Sequence, residues 1–161
     1  MNTENRTERR QAKNQKVRVL VNKAQKVCVS FFDKKYTYDS AEAVAELGLD
    51  EELVEHLLED YVTQIIKAVT QFEEMLYKLQ SDKDAKLPLD YTELRDLAHK
   101  NLGVARNLRI GDATLLLEDL MKKDDLEYLF LCIETLRASA ILLKPECAYN
   151  AIKLIELKST F

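Results

Sequence analysis

Three glycines and two prolines in 161 residues leave this chain few places to turn sharply. Sheets and long loops need that punctuation, so a chain with so little of it builds most naturally from long helices and short connections. Leu, Glu, Lys and Ala, all good helix formers, are abundant and point the same way. The expected fold class is all-α, with room for one sizeable core and a short appendage.

Charge divides the chain. Residues 1–35 hold ten Lys/Arg against three Asp/Glu, a net of +7, while the rest carries −11, giving −4 overall. An acidic body argues against general nucleic-acid binding, although a basic head can serve an anionic partner or merely aid solubility. Cys28, Cys132 and Cys147 are widely spaced, odd in number and match no metal or redox motif. Reduced thiols in a cytoplasmic protein are the expectation. The apolar stretch Val17–Phe32 is interrupted by Lys23 and Lys26, so neither a signal peptide nor a membrane span is expected.

Residues 1–15 have almost no apolar content and read as a disordered or frayed tail. The next stretch supports two readings. Val17, Val19, Val21 and then Val27, Val29, Phe31 alternate as hairpin strands do. Val17, Leu20, Val21, Ala24, Val27, Cys28 and Phe31 equally make a helical stripe. Residues 1–37 thus form a basic tail with a short hairpin or helix, and 38–161 form the main domain.

Beyond residue 38 the signals are cleaner. Asp39 with Glu42 suggests a capping box for a short helix that Gly48 ends. A long helix follows from about 50 to 80, striped by Leu53, Leu57, Tyr61, Ile65, Val69, Phe72, Leu76 and Leu79. Asp90 with Glu93 opens a helix to about Arg109, Gly111 breaks it, and Asp112 caps another to about Lys123. Asp124–Asp125 starts a further helix to about Leu143, and Pro145 opens the last. Four consecutive amphipathic helices over 50–143 read as an antiparallel up-and-down four-helix bundle, with an extra element at each end.

The informative helix is Tyr91–Ile110. Leu94, Leu97, Ala98, Asn101, Val104, Ala105 and Leu108 gather on one face, a core stripe with Asn101 as its polar member. Opposite it Arg95, His99, Gly103, Arg106 and Ile110 share a sector of about 80°. A lone surface histidine is usually incidental. Its company is what singles it out. A mid-helix glycine costs about 1 kcal/mol relative to alanine and wants a packing or access reason. Bare backbone beside an exposed imidazole admits another protein's surface, and flanking guanidinium groups suit a phosphoryl oxygen.

The run Ala98-His99-Lys100-Asn101-Leu102-Gly103-Val104-Ala105 resembles the phosphorylation motif of histidine-containing phosphotransfer (HPt) domains, Ala-His-x-Leu-Lys-Gly followed by small residues. The resemblance covers about residues 38–143. It departs at Asn101, where the family has an apolar residue, and at Leu102, where the family has a lysine that helps bind the phosphoryl group. Lys100 lies about 100° round the helix from His99, leaving Arg95 or Arg106 to supply that charge.

The resemblance implies a phosphorelay protein of two-component signalling. His99 would accept a phosphoryl group from a receiver-domain aspartate, of a hybrid histidine kinase or a response regulator, and pass it to another receiver. Imidazole, with an ordinary pKa of about 6.5, is mostly neutral at pH 7 and is then a competent nucleophile. The receiver would supply the Mg²⁺, so the chain itself needs no metal or nucleotide. Leu102 and Ile110 would form an apolar docking edge beside His99. The alternative is a degenerate HPt-like interaction module that binds signalling partners without transfer. His56, among Glu52, Glu55, Glu59 and Asp60, sits in no motif and reads as a solvated histidine.

Overall fold

The computed structural model describes residues 3–159. Over them the chain is all-helical, in seven helices: α1 Thr3–Phe32, α2 Ser40–Leu47, α3 Glu51–Asp84, α4 Thr92–Asn107, α5 Gly111–Lys122, α6 Leu126–Leu143 and α7 Pro145–Ser159. Among the described residues no strand forms.

Side-chain caps set several starts. Asp39, Asp50 and Asp125 accept from the backbone N–H groups of Ala41, Leu53 and Tyr128 at 2.9, 2.8 and 3.4 Å. Each satisfies a donor that the first helical turn leaves orphaned. Ends are made with little help from glycine. Gly48 closes α2 in the left-handed region, but Asp33, Lys86 and Arg109 take the same conformation after α1, α3 and α4. An L side chain pays about 1–2 kcal/mol for that. Hydrogen bonds offset the cost, with Leu87 N–H reaching Asp82 O at 2.8 Å and Ile110 N–H reaching Ala105 O at 3.0 Å.

α1 decides between the two readings of the N-terminal stretch. It is one continuous helix, and Leu20, Val21, Ala24, Val27, Cys28 and Phe31 pack toward the core. The hairpin reading needs Val19 and Val29 on a buried face, and they are 50% and 43% exposed. The frayed tail is corrected too, since helix extends back to Thr3. Residues 4–12 are nonetheless exposed throughout.

α6 is apolar on nearly every side and lies at the centre, touching α1, α3, α5 and α7. α3 contributes Leu58, Ile65, Phe72 and Leu76 to the core, all essentially inaccessible. α3 also contacts α4, α4 contacts α5, and α5 contacts α6, so these four helices close a ring of neighbours. α1 and α7 lie outside that ring, α1 against α6, α7 against α3 and α6, and the two against each other. No described helix is long and apolar enough to cross a membrane.

Candidate functional site

α4 has a sealed face and an open one. Leu94, Ala98, Asn101, Leu102 and Ala105 are buried, while His99, Lys100, Gly103 and Arg106 are exposed. Asn101 in the core has both side-chain polar atoms partnered. Its amide Nδ2 donates to Leu97 O at 2.9 Å, and its Oδ1 accepts from Gln64 Nε2 at 3.3 Å. A polar group so placed avoids the penalty of an unpaired buried amide.

The helix begins after Asp90, whose Oδ1 accepts from Thr92 N–H at 3.0 Å and Thr92 Oγ1 at 2.6 Å. Those bonds favour the carboxylate and lower its pKa. The capping box read from Asp90 and Glu93 is thus replaced by a tighter turn through Thr92.

Arg95 does not face solvent freely. Its Nη1 donates to Leu120 O at 2.8 Å and to Lys123 O at 2.7 Å, and its guanidinium lies 4.6 Å from the centre of the Tyr91 ring. It caps the carbonyl end of α5. Arg106 likewise turns to α5, pairing with Glu118 at 2.7 Å. Both arginines are already partnered along the α4–α5 seam. Neither is a bare cation beside His99.

The docking edge is corrected. Leu102 is 3% and Ile110 1% exposed, so both belong to the core. The helical period places Ile110 with His99 only if α4 continues, and it stops at Asn107. Arg109 then reverses the backbone, at φ 60°, and swings Ile110 inward. Leu102 lies on the flank that α5 covers, so the buried face of α4 extends further round than its own stripe indicates.

His99 and Gly103 remain together on the open side. A Cβ placed on Gly103 meets nothing within 4 Å, so no packing demand explains this glycine. The space beside the imidazole one turn on is simply free. Lys100 is also exposed there, on the side away from the arginines. His56 is exposed on α3 with its Nε2 4.0 Å from Glu52, a solvated pair. Among the described residues no group of three or more His, Cys, Asp and Glu side chains is arranged to hold a metal ion.

One polar cluster escapes the sequence. Tyr36 and Tyr61 hydroxyls and Asp112 Oδ2 are buried without a hydrogen-bond partner among the described residues. Asp112 Oδ1 accepts from Ala113 N–H at 3.0 Å, yet α5 begins at Gly111, so Asp112 lies inside the helix it was expected to cap. Burial raises the pKa of Asp112 and of both tyrosines, and lifts Cys28 to about 11, with the Asp112 charge adding to the last three. The segment between α1 and α2 brings Tyr36 there, and nothing in its local pattern marks that.

No family model, curated protein or solved structure matches this chain.

Proposed function

We propose that the chain is a histidine phosphotransfer protein of the HPt kind, with His99 as the phosphoryl acceptor. The observation that carries this reading is the pairing of His99 with Gly103, an exposed imidazole beside bare backbone with open space above it. A receiver domain must bring its aspartyl phosphate within bonding distance of the ring, and a flat approach suits that. In the transfer, an imidazole nitrogen forms the N–P bond as the acyl-phosphate P–O bond breaks, and the electron pair leaves with the aspartate carboxylate. Such chemistry asks mainly for positioning and charge stabilisation, which a rigid helix provides. The ring of neighbours α3–α4–α5–α6 is compatible with the four-helix bundle of this class, and α4 presents its histidine outward. Mg²⁺ would come with the receiver, and a cytoplasmic setting would follow from that partnership.

A second reading has its own support. Leu102 stands buried where the motif carries lysine, and Arg95 and Arg106 are committed to α5. Lys100 is then the nearest free cation in sequence. A helical module that binds receivers without accepting phosphate fits those facts. Incubation with receiver domains carrying labelled phosphate separates the two. Acid-labile label on the wild type and none on His99→Gln is the expected result. A receiver that binds but transfers nothing overturns the carrier reading and leaves the module.

A further inference from the structure

The N-terminal half of α1 is a helix with almost nothing to lean on. Residues 4–16 are exposed apart from Lys13, which pairs with Glu146 at 3.2 Å and approaches the Tyr149 ring. Arg6, Arg9, Arg10 and Lys16 make no ion pair among the described residues. Helices of this length gain most of their stability from tertiary packing, so a polar segment without it is a poor helix by itself. The segment has no apolar stripe to lay into a membrane.

Elsewhere the molecule carries the complement. A groove of about 770 Å³ runs between α3 and α6. The Tyr77 and Phe130 rings meet there at a tilt of 53°, centroids 5.1 Å apart, and Tyr77 is 65% and Leu131 48% exposed. Glu73, Glu127 and Glu134 rim it, three carboxylates against the single cation Arg137. This is an apolar floor with an acidic edge, which suits the stems and heads of long basic side chains.

Within one chain Lys26 lines the adjoining pocket with Glu134, but residues 4–16 do not reach the groove. Phe31 of α1 meets Tyr128 near the groove's end of α6, and Lys13 meets Glu146 beyond the other end. At 1.5 Å per residue, Arg10 lies roughly 30 Å along a straight helix from Phe31. The basic segment therefore points away from its own groove.

We propose that this groove receives the basic N-terminal half of α1 from a second copy of the chain. Two-fold symmetry makes the contact reciprocal, each copy giving its basic end to the other's acidic one. The pairing is chiefly electrostatic and leaves His99, on α4, outside it.

Sedimentation equilibrium of the full chain tests this. At about 100 µM and low salt a dimer is expected, and at about 1 M salt, where the Debye length is about 3 Å, a monomer. Arg9→Glu with Arg10→Glu, and separately Glu127→Lys with Glu134→Lys, should each weaken the dimer by about tenfold or more. Mixing the two variants should restore pairing between unlike copies. All four positions are exposed, and circular dichroism checks that the variants fold. A wild-type monomer at low salt overturns the proposal, as does a dimer indifferent to the groove substitutions. Loss with both variants but no rescue on mixing overturns the assignment of segment to groove.

Discussion

The two sides of α4 are made from one stretch of sequence and obey different rules. The inner side holds Leu94, Ala98, Asn101, Leu102 and Ala105, all buried where α4 meets α3 and α5, with both polar side-chain atoms of Asn101 hydrogen-bonded. The outer side holds His99 and Gly103, which touch nothing that the fold requires. Packing explains the first set completely. The second set has no structural reason, and residues without one are where a function is best sought. Arg95 and Arg106 stand on the boundary. Helix periodicity puts them with His99, and their hydrogen bonds put them with α5.

The comparison breaks first if the inner side proves unimportant. Leu94 is 1% exposed, and Leu94→Ala removes its contacts and leaves a cavity in the core. A loss of about 2–5 kcal/mol in urea unfolding is expected. Asn101→Ala follows. It withdraws the bonds to Leu97 O and from Gln64 Nε2, and a loss of about 1–3 kcal/mol is expected in the same assay. An unchanged midpoint means that the Asn101 amide contributes nothing to the contact between α3 and α4.

These expectations also show which parts of the molecule the sequence makes readable. Core stripes and side-chain caps are local, so α2, α3, α4 and α6 emerge from the sequence, and Asp39 and Asp125 start α2 and α6 as read. His99 and Gly103 are readable for the same reason, since both sit in the interior of a regular helix. Ile110 is not, because its direction depends on Arg109 entering a conformation usually left to glycine. Gly111, the residue that looks like the break, is instead the first of α5. Leu102 and the arginines are misjudged because a helical wheel does not know where α5 lies. The start of α1 fails differently. Composition marks residues 1–15 as unable to pay for order by burial, and the helix from Thr3 indeed buries almost nothing.

Gly103→Ala sharpens the outer side, because stability and access then move in opposite directions. Alanine is about 1 kcal/mol better than glycine inside a helix, and the new methyl meets no neighbour. The variant should unfold at higher urea, with a gain of about 1 kcal/mol in unfolding free energy. If the bare backbone admits a receiver, its phosphoryl transfer should nevertheless slow. A variant that is more stable and transfers at the wild-type rate removes Gly103 from the docking surface.

The smallest structural effect belongs to His99 itself. Its ring is exposed, and among the described residues no hydrogen bond or ion pair uses it. His99→Gln keeps a side chain of good helix propensity, so stability should stay within about 0.5 kcal/mol of wild type. A loss well above that shows that the imidazole serves the fold, and the contrast between the two faces collapses at its centre. An unchanged midpoint together with lost label from a phosphorylated receiver gives the contrast its full meaning. The residue that contributes least to holding α4 in place is then the one for which α4 is held.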